Sequence, residues 1–188
     1  MRVYVPLTLP GLAAAHRTGT LGAERLAVYA VTPALRAWCL TDDLEELEYA
    51  ALNRAALASL RLLAADPGAP RRRVVVAVDV PDDAVSADAD REGDPAALGE
   101  VWTAGPVALA KAAAVHVDAD EAEADVAAAA GALATADAED AADPGDSRNA
   151  ADAGEDDAQA LVDATDDHEL LWFATQEVPN LVGDGGRS

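Results

Sequence analysis

The stretch from Thr41 to Ala65, TDDLEELEYAALNRAALASLRLLAA, constrains the fold more than any other. Leu44, Leu47, Ala51, Ala55, Ala58 and Leu62 recur at three- and four-residue steps, which puts them on one helical face. Leu52, Ala56, Leu60 and Leu63 form a second row beside it. So wide an apolar surface must lie against a sheet or inside a bundle. No Gly, Pro, Val or Ile interrupts the run. Asp42 to Glu45 and Asp43 to Glu46 have capping-box spacing, and Asp66-Pro67-Gly68 stops the helix. At about 1.5 Å per residue the rod is about 36 Å long, the width of a small domain. Both leucine rows are expected to be buried, so Leu52→Asp and Leu62→Asp are expected to unfold the chain.

The net charge of −22 divides unevenly. Residues 1–81 hold nine Arg and eight acids, whereas 82–188 hold four bases and 27 acids. The acidity therefore belongs to the second half, where it marks solvated, charge-extended chain. Phosphate neutralisation needs clustered Lys and Arg, so no nucleic acid is expected as a partner. With one cysteine, Cys39, no intrachain disulfide can form. The start MRVYVP has no signal-peptide pattern and no apolar run reaches membrane-spanning length, so no membrane and a cytoplasmic location are expected.

Around the long helix, Arg2–Val5 reads as a strand ended by Pro6, Pro10–Arg17 as a short helix and Arg25–Val31 as a buried strand. Thr32 caps a short helix that Pro33 opens. Arg72–Val80 is the strongest strand. Residues 82–99 read as an acidic loop, Glu100–Ala104 as a strand, Pro106–Ala113 as a short helix or turn, Ala114–Asp118 as a strand and Asp120–Leu133 as a helix. Residues 134–158 are low-complexity and acidic and are expected to be disordered. A last helix is expected over 166–178, capped by Asp166 with Glu169 and buried through Leu170, Leu171, Ala174 and Val178; 183–188 form a tail. Alternation of strands and helices gives an α/β (or α+β) class. The expectation is one domain over 1–182, a mixed, partly parallel sheet of four to five strands packed by Asp42–Ala65 and a C-terminal helix. Arg25 to Val80 then forms a crossover unit around the long helix.

There is no phosphate-binding glycine loop, no nucleophile elbow and no zinc spacing, so no cofactor and no metal are expected. Three weaker patterns remain. His116 and Asp118 share a strand face at its C-terminal end, where α/β proteins gather ligands. The pair suits proton relay or a metal, while the plainer alternative is an Asp118 cap and a wall histidine. His168 and Glu169 follow two aspartates, and His168, Trp172 and Gln176 (or Thr175) line one side of the expected last helix. That stripe suits a pocket; the alternative is a capped helix with a half-buried Trp. Five acids in seven residues head the long helix, suited to a divalent cation or, more plainly, to the helix dipole. Arg71-Arg72-Arg73 reads as a solvated strand entrance or as a counter-charge to the acidic segments.

The motifs MRVYVP, AVTPALR, EELEYAAL with SLRLLA, RRRVVVAVDVP, AVHVD and DDHELLWFATQEVP together resemble an uncharacterised family of small actinobacterial proteins, a domain of unknown function. The resemblance leaves out 82–99 and 134–158. It implies a fold unit and an origin, and carries over no functional residue. The expected function is a non-catalytic interaction or regulatory module with a protein partner. The alternative is a metal-assisted or general acid/base enzyme whose candidates are His116, Asp118, His168 and Glu169, with Trp172 and Gln176 for binding.

Overall fold

The structure is a computed structural model that describes residues 1–22, 24–88, 91, 94–142 and 158–183, with side chains in the fourth helix described to residue 138. The long helix, α3, runs Leu44–Ala65. Asp43 is its N-cap, accepting from the backbone N–H groups of Glu45 and Glu46 at 2.9 and 3.1 Å. Its buried side is Leu47, Ala51, Ala55, Ala56, Ser59, Leu60, Leu63 and Ala64. Leu44 and Leu62 lie at the margins of the expected face and are 55% and 42% exposed. The buried stripe follows four-residue steps through Leu47, Ala51, Ala55, Ser59 and Leu63 and leaves Leu62 at its edge, so the unfolding expected of Leu62→Asp is withdrawn.

Strand β1 is Arg2–Leu7. It passes through Pro6, which does not end it as expected. Among the described residues β3 (Ala27–Ala30) pairs only with Val3 and Tyr4 of β1, which leaves that side of β1 open at Pro6, and a proline is tolerated. Between them stand α1 (Leu9–Thr18), capped by Thr8 and ended by Gly19 in the left-handed region, and the short β2 (Thr20–Leu21). α2 (Pro33–Cys39) is capped by Thr32 as expected. β4 (Val74–Asp79) is buried from Val74 through Val78.

The remaining strands are β5 (Val85–Ser86), β6 (Glu100–Thr103), β7 (Val107–Ala108), β8 (Ala112–Val117) and β9 (Leu171–Phe173). Among the described residues the main sheet orders seven strands as β5-β6-β3-β1-β4-β8-β9, and β2 pairs with β7 apart from it. Every adjacent pair is antiparallel. The architecture is therefore mixed α and β, and the expected partly parallel sheet of four to five strands is corrected. The crossover from β3 through α3 to β4 does join strands of the same direction. β1 lies between them, antiparallel to both, so the unit is a split β-α-β. β5 and β9 were missed as strands because two or three residues are too few to show a period.

Two layers of core follow from strand alternation. Val3, Val5, Val28, Val74, Val76, Val115 and Val117 face α1 and α6 (Val178–Leu181). Tyr4, Tyr29, Val75, Ala77 and Ala114 face α3. A third cluster joins α3 to α4 (Glu123–Ala142) and to α5 (158–166) through Leu60, Leu63, Val126, Ala129 and Val162. α4 runs nine residues past the expected end at Leu133, so residues 134–142, expected to be disordered, are helical. Residues 143–157 of that segment, and 184–188 of the expected tail, lie outside the described residues.

The last expected helix is replaced. The helix stops at residue 166, and Asp166 ends it where a cap was expected to begin one. Leu171, Trp172 and Phe173 then pair with β8 as a strand. A bulky β-former triplet beside an open sheet edge gains backbone pairing there, which overrides a helical period over four positions. Among the described residues no helix is long and apolar enough to cross a membrane.

Candidate functional site

His116 stands in β8 with its Cα opposite Val75 of β4 on one side and Trp172 of β9 on the other. Alternation puts His116 and Asp118 on the α3 face as expected, but only His116 reaches a cavity. Asp118 is fully buried behind it, bound to Arg73, which is itself 2% exposed. The guanidinium grips both carboxylate oxygens, Nη2 donating to Oδ1 at 2.8 Å and Nε to Oδ2 at 3.0 Å. The Arg73 backbone N–H donates to Oδ2 at 2.6 Å. Arg73 Nη1 donates to Thr165 Oγ1 at 3.1 Å, and Nη2 to the carbonyls of Thr165 at 2.9 Å and His168 at 3.0 Å. One buried ion pair therefore ties β4 and β8 to the end of α5. Asp118 makes no helix cap either: Ala119 holds that position before Asp120–Ala122.

The arginine triplet is built in and is no solvated patch. Arg71 donates to the carbonyls of Leu63 and Pro67 at the end of α3, a cation at a helix C-terminus. Arg72 donates from Nε to the Asp118 carbonyl at 2.8 Å and pairs with Asp120 at 2.9 Å. Arg73 was legible in principle. With period two it shares a face with Val75 and Ala77, so it belongs to the core side of the strand.

A cavity of about 190 Å³ opens on the α3 face, where β8 and β9 pass the helix. α3 contributes Tyr49, Leu52, Asn53 and Ala56; β8 contributes His116 and β9 Trp172. The segment from α5 to β9 contributes Asp166, His168, Glu169 and Leu170, and Arg73 lies at the back. Four of the expected residues, His116, His168, Glu169 and Trp172, thus meet at one cavity. Asp118 stands behind it, and Gln176, in the turn Thr175–Glu177, takes no part. Tyr49, Asn53, Arg73 and Asp166 complete the lining. The sequence carried a trace of the first two: Tyr49 and Asn53 lie four apart beside Leu52, a polar break at the rim of the apolar stripe.

Burial pushes the His116 imidazolium pKa down, with Arg2 adding repulsion, so the neutral ring is favoured. Burial pushes the Asp166 carboxyl up; Arg73 opposes this, while Asp163 and Asp167 add to it. His168 Nε2 lies 2.7 Å from Asp125 Oδ2 on α4, so this ring is held toward α4. At the head of α3, Asp43 caps, Asp42 pairs with Arg36 at 3.9 Å, and Glu48 stands 4.0 Å from Arg2. Those bonds account for the acids there by dipole and pairing. Among the described residues no three His, Cys, Asp or Glu side chains are grouped to hold a metal ion.

Fold and cavity together define a mixed α and β protein with a small polar-aromatic cleft at the end of its sheet. The chain belongs to a family of unknown function, DUF6912, whose model matches residues 1–182. No curated protein and no solved structure matches it.

Proposed function

We propose that the chain is a non-catalytic interaction module, a single cytoplasmic domain over 1–182 of actinobacterial origin, that binds a protein partner where β9 ends the sheet. The carrying observation is the exposure there of Leu171 (47%) and Trp172 (62%) on a strand that, among the described residues, is paired on one side only, with half-exposed Tyr49 across the cleft from Trp172. Exposed apolar side chains clustered at an unpaired strand mark an interaction surface. The alanine- and arginine-rich composition supports the origin. Two of the four candidate catalytic groups are engaged elsewhere, Asp118 by Arg73 and His168 by Asp125. Capture from lysate of the source cell tests the proposal. A partner retained by the parent and by Leu44→Lys, but lost with Leu171→Lys, is the expected result. Identical captured sets for all three proteins would remove the basis.

One observation favours acid/base chemistry as a second reading. His116 and Asp166 line the same cavity, and burial favours the neutral form of each, a base and an acid near one another. A substrate turned over by the parent, with a rate lost in both His116→Gln and Asp166→Asn, would support it. Equal rates in the parent and both variants would discard it.

A further inference from the structure

We propose that the β9 cleft takes the side chain of a lysine or arginine, presented by a partner strand that adds to the outer edge of β9. The proposal deepens the interaction reading, on which it rests, by naming the partner's chemistry.

The charges around the cleft leave a clear remainder. Arg73 is neutralised by Asp118 at 2.8 Å, so its cation is already spent. His168 is paired with Asp125. Burial holds His116 toward its neutral form, and Asp163 and Asp167 add negative charge beside Asp166. Glu169 has no hydrogen bond or ion pair among the described residues. The Glu169 carboxylate thus lines the cleft without a counter-charge, and the Asp166 carboxyl, which burial holds toward its neutral form, ionises against an incoming cation. Trp172 and Tyr49 supply aromatic surface suited to an ammonium or guanidinium group. Leu52, Ala56 and Leu170 supply an apolar wall for an aliphatic stem. An anion would meet the Glu169 carboxylate, and a wholly apolar group would strip both acids of water without pairing them.

Size and register choose the source. About 190 Å³ is below the roughly 300 Å³ at which drug-sized ligand pockets begin, and suits one side chain. β9 is the terminal strand of the sheet, so its outer edge has no partner strand among the described residues. Directly opposed residues of neighbouring strands share a face, as His116 and Trp172 do. A residue opposite Trp172 on an added strand therefore also lies on the cleft face. Strand addition supplies the backbone bonds, and the cleft reads one side chain.

The test uses the full chain and blocked pentapeptides of valine and threonine with lysine, arginine, norleucine or glutamate at the centre. Binding is followed by NMR at the Trp172 indole N–H and the amides of 171–173. The lysine and arginine peptides should shift these resonances and bind about tenfold more tightly than norleucine, with glutamate weakest. Glu169→Gln and Trp172→Ala should each remove that preference, and both lie on the surface, so a melt confirms the fold. Equal affinity for lysine and norleucine, or no shift at β9, overturns the proposal. Butylammonium binding as tightly as the lysine peptide also overturns it, pointing to a free amine instead of a strand. If these fail while Leu171→Lys still loses its captured partner, the interaction reading stands and only the cation-bearing strand is wrong.

Discussion

The Arg73–Asp118 ion pair and the His168–Asp125 hydrogen bond border the same cleft, yet they do different work. The first is buried at both ends, its side chains 3% and 0% exposed, with bidentate geometry and further bonds to Thr165 and His168. The second is open to water, 25% and 54% exposed, and makes a single contact at 2.7 Å. A buried pair with its hydrogen bonds satisfied fixes geometry, because removing one partner strands a charge in low dielectric. An exposed pair is screened and contributes little. The contrast separates framework from surface: Asp118, which resembled chemistry in the sequence, holds β4, β8 and α5 together, while the groups beside it face the cleft.

The largest effect should come from breaking the buried pair alone. Arg73→Met or Asp118→Ala is expected to cost about 3–5 kcal/mol in urea denaturation, and the double variant Arg73→Met with Asp118→Leu should recover much of that loss. A single variant within about 0.5 kcal/mol of the parent would erase the distinction between the two pairs.

A neutral counterpart comes next. Ser59 Oγ donates to the Leu7 carbonyl at 2.6 Å and accepts from the Val74 N–H at 2.9 Å, closing the β1–β4 ladder from α3. Ser59→Ala leaves both backbone groups buried and unpaired, for a loss of about 1–3 kcal/mol in the same assay. This should exceed any change from the exposed His168–Asp125 contact.

His116 offers a pH test with a definite sign. Its folded pKa lies below the ordinary 6.5, so between the two values the unfolded chain binds more protons. Its contribution is complete above 6.5 and falls away as pH drops through the folded pKa. Asp166, shifted up from 3.8, acts oppositely: it stabilises at low pH and loses that contribution as pH rises through its folded pKa. Melts across pH 4 to 8 (roughly the span of both ordinary values) should show a loss on acidification that His116→Phe diminishes. An unchanged profile would mean the imidazole is solvated in the fold. Smallest of all, His168→Gln or Asp125→Asn should shift stability by no more than about 1 kcal/mol, and raised salt should shrink the difference further.

How much of this was legible depends on how each residue declares itself. α3 stood out because 22 residues repeat a strong period, and the strands near it are runs of Val and Tyr. Its exact buried stripe did not, since Leu62 differs from Leu63 only in which neighbour it meets. The partly parallel sheet was misjudged because the sequence shows that β3 and β4 flank a helix, but not that β1 enters between them. DDHELLWFATQEVP carried both a helical period and a β-rich triplet, and the open edge of β8 decided for the strand. The cleft was half visible: His116, His168, Glu169 and Trp172 were candidates on local pattern. Local pattern places Arg73 on the core face and Tyr49 at the rim of the stripe, but Arg73's partner Asp118 lies 45 residues away, which no local pattern encodes.

The most direct test of the cleft as the functional face is a thermal shift of the parent protein and Trp172→Ala with the lysine pentapeptide, compared at equal ionic strength with the norleucine pentapeptide. A ligand that binds only the folded state raises Tm by mass action, by about 2.7 kcal/mol of stability at a hundredfold excess over Kd. The account predicts a concentration-dependent rise for the parent with lysine, little with norleucine, and none for Trp172→Ala. An equal rise in parent and variant, or no rise in either, would contradict it.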